Sequence, residues 1–240
     1  MTRLIDRRVP RPTQQGRSTT SRVLFPAFLV SFFLIWTVRA TVLFSVDQQV
    51  HDEVLRRIYA NGVKFALWVL PAIAYLASVD QVAPLAYLKL TTRLTTRMWR
   101  YILLAGLIFG GAELVSAALL GQDLRPLRTA GFRTWIAGLA AISFSPICEE
   151  ILFRGFVLGK LRAAYPFWGA NMLAAVLFSA THWPNWLWTD GFQPRLLVLA
   201  CTTWALGAAL GWLVKRSGSL WPAIVGHIAN NLVLHVLRQL

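Results

Sequence analysis

Two adjacent glutamates and an arginine stand in the run Cys148-Glu-Glu-Ile-Leu-Phe-Arg-Gly155, within an otherwise apolar stretch. On a helix Glu150 and Arg154 lie one turn apart and can pair, whereas Glu149 points about 100° away. One carboxylate is thus expected to be fixed by Arg154 and the other left free to react. A buried structural ion pair would account for Glu150 and Arg154, but Glu149 has no partner nearby in the sequence. Two further polar groups interrupt apolar segments: Phe178-Ser-Ala-Thr-His182 and His227-Ile-Ala-Asn-Asn231. His227 and Asn231, four residues apart, share one helical face, and His235 continues it. Each has a plainer explanation, a hydrogen-bonded packing histidine for the first and a polar stripe joining helices for the second. Taken together they suit hydrolysis of a peptide bond, which needs an activated water and donors for the developing oxyanion. Glu149 with His182 can deprotonate and position the water, while His227 and Asn231 can donate to the oxyanion.

The elements that must hold these groups are membrane helices. Of the 240 residues, 56% are hydrophobic and only 14% charged, with a mean hydropathy of +0.54, which does not fit a water-soluble globule. Apolar stretches long enough to cross a bilayer predict about seven spans, with six to eight allowed. They are placed at 23–46, 62–80, 100–120, 133–160, 166–183, 195–214 and 219–238. The expected fold class is therefore all-α, a polytopic transmembrane helix bundle. The fourth and fifth spans form an antiparallel hairpin turning near Tyr165 and Pro166, midway between Glu149 and His182. At about 1.5 Å per residue, that turn returns both side chains to the same depth. Pro146 removes a helix hydrogen bond just before the glutamates and can kink the span, as a simple packing device or to admit water.

The net charge of +14 does not indicate a nucleic-acid partner, because the basic residues lie between apolar stretches and not along one folded face. Arg3, Arg7, Arg8, Arg11, Arg17 and Arg22 precede the first span, and Lys89, Arg93, Arg97 and Arg100 lie between the second and third. Placing them with Lys160, Arg162, Lys215 and Arg216 on one side predicts a cytoplasmic N-terminus. Residues 1–22 are expected to be a disordered basic tail without the features of a secretory signal, and 23–240 a single bundle domain. Cys148 and Cys201 both fall in predicted spans, which excludes a disulfide framework. Arg39 and Glu113 are further intramembrane charges, which can pair with each other or line a cavity. The cluster Trp183-Pro-Asn-Trp-Leu-Trp188 suits anchoring at the membrane interface, with substrate contact as the alternative.

The order Glu-Glu-x-x-x-Arg, Phe-x-x-x-His, His-x-x-x-Asn resembles the CPBP family, the CAAX protease and bacteriocin-processing type of intramembrane endopeptidases. The resemblance covers about residues 133–236. It implies a glutamate-dependent protease in which Glu149 is the base, Glu150 and Arg154 support it, His182 helps to activate water, and His227 and Asn231 serve the oxyanion. No cofactor is implied. The alternative is a zinc enzyme with Glu149, His182 and His227 as ligands, against which no His-Glu-x-x-His occurs. The Gly-x-Ser-Gly and Gly-x-Gly-Asp signatures of other intramembrane proteases are also absent, and Cys148 fits packing better than nucleophilic attack.

The expected partners are the lipid bilayer and a membrane-associated peptide or protein: one with a lipid-attached or membrane-inserted C-terminus, a leader peptide, or a C-terminal sorting signal. The expected location is the bacterial inner membrane. Two other functions use the same residue types. A non-enzymatic immunity or scaffold protein would keep them for packing, and a transporter would use them as a proton relay.

Overall fold

The structure, a computed structural model, describes residues 19–93, 95–119 and 132–237. Among them the regular elements are all helical. In chain order they are α1 (Thr19–Ala40), α2 (Phe44–Gln48), α3 (Glu53–Ser78), α4 (Pro84–Tyr87), α5 (Thr96–Leu119) and α6 (Phe132–Glu150). A π-helical segment, Ile151–Val157, leads from α6 into α7 (Leu158–Leu161), followed by α8 (Phe167–Ala180), α9 (Trp183–Asp190), α10 (Arg195–Ser217) and α11 (Trp221–Leu237). Each expected span overlaps a helix, or the α6–π–α7 rod. Val23–Ala40, Glu53–Ser78 and Arg195–Ser217 are long and apolar enough by themselves to cross a membrane. The expected basic tail falls mostly on residues 1–18, outside the described residues. Its last four residues, 19–22, are helical where disorder was expected.

Of the boundaries that differ from the expectation, three have a clear local reason. The first span stops at Ala40, not residue 46, and the chain turns so that Asp47 on α2 meets Arg39, with Nη2 to Oδ1 and Oδ2 at 2.8 and 2.6 Å. Arg39 is thus paired with Asp47, and the side chain of Glu113 lies outside the described residues. The second helix starts at Glu53, nine residues early, because the Asp52 carboxylate caps it by accepting from the Leu55 N–H at 3.0 Å. An apolar-run criterion cannot register such a polar first turn. The fifth helix ends at Ala180, not residue 183, and Pro184 in the first turn of α9 starts a new helix. His182 therefore occupies a junction, and the tryptophan cluster is itself a short helix.

Outer faces carry exposed aliphatic side chains, such as Leu34 on α1, Leu107 on α5 and Val198 on α10. Where lipid is the solvent, contacts between helices must come from close packing and internal polar bonds. A column of edge-to-face aromatic rings supplies one such seam: Phe28 on Phe156, Phe32 on Trp68, Trp68 on Phe153 and Phe153 on Phe178, with centroids 5.0–5.7 Å apart. It joins α1, α3, the π segment and α8. Elsewhere α5 packs on α11, and α3 on α6.

The seam between α8 and α10 uses small residues. Gly207 and Gly211 lie one turn apart on α10, and Asn171 of α8 is laid across this surface, its Nδ2 donating to the Ala208 carbonyl at 2.8 Å. A Cβ at Gly211 would collide with the buried Asn171 amide. Gly211→Ala is expected to destabilise the protein by about 1–3 kcal/mol, read as a fall in apparent Tm in detergent. Gly62→Ala, which meets open space on α3, should leave Tm unchanged or slightly higher.

Candidate active site

The two glutamates end α6, immediately before the backbone widens into the π segment. All seven π residues are buried, and such segments inside α-helices frequently mark functional sites. The expected pair forms: Arg154 Nη1 donates to Glu150 Oε1 at 2.9 Å, with both side chains essentially inaccessible. Arg154 Nε also donates to the Gly207 carbonyl at 3.3 Å, and its guanidinium lies 4.1 Å from the Phe178 ring centroid. Glycine at 207 is what admits it, since a Cβ there would come within 2.9 Å of Arg154 Nη2.

α11 contributes His227 between the two carboxylates. Its Nδ1 is 2.8 Å from Glu150 Oε1, and its Nε2 faces Glu149 Oε2 at 3.6 Å. A carboxylate oxygen only accepts, so Nδ1 carries the proton shared with Glu150. Asn231 lies one turn further along the same helix and accepts from Asn230 Nδ2 at 3.3 Å, which places its amide beside the buried Asn230. The side chain of His235 lies outside the described residues.

His182 stands at the α8–α9 junction. Its Nδ1 lies 3.1 Å from the Phe178 carbonyl, again an acceptor, so this nitrogen is the donor and Nε2 is left with a lone pair. The ring lies edge-to-face with Phe178 and tilted against Trp186, with centroids 5.2 and 5.3 Å away. A Trp36 Nε1–H···O=C bond to Thr181, 2.8 Å long, ties α1 to the junction. An apolar cavity of about 420 Å³ opens beside it, lined in part by Ser179, Trp183, Cys201 and Trp204, and does not include the carboxylates.

Glu149 is where the sequence-based expectation fails. It is not free: its Oε1 is paired with the ammonium of Lys64 on α3, and it accepts from the Ser145 hydroxyl at 2.9 Å. Lys64 also donates to Ser145 Oγ, at 2.6 Å. The reason is tertiary, since α3 packs alongside α6 and delivers a cation from 85 positions away. One sign was available, because a lysine among apolar residues at a span end is unusual. A snorkelling lysine, with its stem in the apolar layer and its head in water, gives the same pattern. Ser145 carried no signal beyond its spacing of four from Glu149.

Among the described residues no three His, Cys, Asp or Glu side chains are grouped to hold a metal ion.

Residues 130–233 match the family model described as type II CAAX prenyl endopeptidase, Rce1-like. That segment contains all three motifs and excludes Lys64. No curated protein matches the chain.

The site geometry makes Glu150 and Arg154 interdependent. Arg154→Met strands a buried carboxylate and is expected to cost about 3–5 kcal/mol, whereas Arg154→Met combined with Glu150→Gln should recover most of it. Thermal unfolding of wild type, Arg154→Met, Glu150→Gln and the double variant in one detergent checks this double-mutant cycle.

Proposed function

We propose that this protein, whose residues 130–233 match the family model described as type II CAAX prenyl endopeptidase, Rce1-like, is an intramembrane glutamic endopeptidase. It cleaves a peptide bond of a membrane-associated substrate without a metal. The single observation that best supports this reading is the meeting of Glu149, Glu150, Arg154 and His227 from two helices around one buried centre. A polar stripe kept for packing would not require two carboxylates there, one of them with an oxygen free of hydrogen-bond partners beside an imidazole.

In this mechanism Glu149 Oε2 takes one proton from a water whose second hydrogen bond goes to the lone pair of His182 Nε2. The water oxygen bonds to the scissile carbonyl carbon and the carbonyl oxygen becomes an oxyanion. Collapse breaks the carbon–nitrogen bond, and the proton held by Glu149 passes to the leaving nitrogen. His227 and Asn231 donate to the oxyanion. Because Nδ1–H of His227 is engaged by Glu150, the proton it offers from Nε2 makes it the doubly protonated imidazolium, flanked by two carboxylates. Glu150 and Arg154 keep that imidazole oriented. The Asn231 amide must turn from Asn230 to take part, and substrate binding one turn beyond His227 provides the occasion.

The substrate is a peptide or protein at the membrane, either with a lipid-bearing or inserted C-terminus or with a leader or sorting segment. The apolar cavity beside His182 suits a large hydrophobic group next to the cleaved bond. The positive-inside distribution places the N-terminus in the cytoplasm.

Glu149→Gln is expected to lower the cleavage rate by about 10²- to 10⁴-fold, the range for losing a general base. The measurement compares membrane-peptide profiles, read from their C-termini, of cells expressing wild type or Glu149→Gln at matched levels. A peptide shortened only by wild type identifies the substrate. Identical profiles would overturn the protease reading in favour of an immunity or scaffold role.

A further inference from the structure

Lys64 lies outside both the motifs and the family-matched segment, yet it makes the tightest contact with the glutamate assigned as base. A snorkelling lysine keeps its ammonium in water. Here the side chain is only 14% exposed and the ammonium is enclosed by Glu149 Oε1, Ser145 Oγ and the Trp68 indole, 4.4 Å from the ring centroid. Trp68 is itself buried at 1% exposure. Desolvating a lysine this far is costly unless its charge is matched, so the site is organised around the Lys64–Glu149 pair.

The contacts on the carboxylate divide sharply. Lys64 and Ser145 both bind Oε1, while among the described residues Oε2 has only His227 Nε2 opposite, at 3.6 Å, beyond hydrogen-bond range. Arg154, also buried, is committed to Glu150 and the Gly207 carbonyl. Lys64 thus places a positive charge directly on Glu149 Oε1 and, with Ser145, leaves Oε2 as the oxygen that faces the imidazole.

We propose that Lys64 is a positioning residue for the hydrolysis: it pins Glu149 Oε1, with Ser145, so that Oε2 is the oxygen that takes the proton from water. This rests on the protease reading above. It makes α3, from the N-terminal half, an obligatory part of a catalytic centre whose motifs all lie further along the chain. Ser145, one helical turn before Glu149, is the second member of the clamp.

The test uses the full-length chain in cells, with the shortened membrane peptide as readout and rates normalised to folded protein measured by thermal unfolding. Lys64→Gln, which keeps a donor but loses the charge, should slow product formation by about 100-fold, the penalty for a misplaced catalytic group. Lys64→Arg, which keeps the charge, should stay within about tenfold of wild type. A merely space-filling role would not separate these two variants. Ser145→Ala, which leaves the charges untouched, should slow product formation several-fold, and it decides the matter if Lys64→Gln does not fold. Wild-type rates in Lys64→Gln, or in Ser145→Ala when Lys64→Gln does not fold, overturn this inference alone if Glu149→Gln is inactive; so do equal losses in the Gln and Arg variants. If Glu149→Gln also processes normally, the protease reading itself fails.

Discussion

Two neighbouring carboxylates inside an apolar bundle can both carry charge only if each finds its own cation, and that constraint organises this molecule. Glu150 is matched by Arg154 from the next turn of the same rod, and Glu149 by Lys64 from another helix. The two pairs are not equivalent. The local one is sealed, with guanidinium and carboxylate held by a backbone carbonyl, a phenylalanine face and a glycine that leaves room. The long-range one leaves a single carboxylate oxygen turned toward an imidazole. Burial that would penalise an unpaired charge thereby becomes a way to orient a paired one.

The packing follows from the same need. α3 must lie against α6 for Lys64 to reach Glu149, and α10 must approach the π segment closely enough for the Gly207 carbonyl to accept from Arg154. The small-residue surface of α10 permits the second approach. The aromatic column through Trp68, Phe153 and Phe178 accompanies both, since Trp68 covers Lys64 and Phe178 covers Arg154. Each of these two rings meets its cation at the π face, which stabilises the charge.

His227 and His182 are held in different ways. His227 is mid-helix and within hydrogen-bond distance of Glu150, whereas His182 occupies a junction between two helices, steadied by Trp36, Phe178 and Trp186.

Much was legible in the sequence because it depends on local spacing. Apolar runs announce lipid-facing helices, and Glu150 and Arg154, four apart, announce their own pair. Helix ends were less legible, because caps such as Asp52 and breaks such as Pro184 are polar or conformational features that hydropathy does not weigh. The cationic partner of Glu149 was barely legible, since an isolated lysine at a span end reads equally as one that snorkels. Which helix packs on α6, and therefore which buried cation meets that carboxylate, is decided by contacts between segments far apart in the chain, and no spacing along the sequence encodes a distance across the bundle.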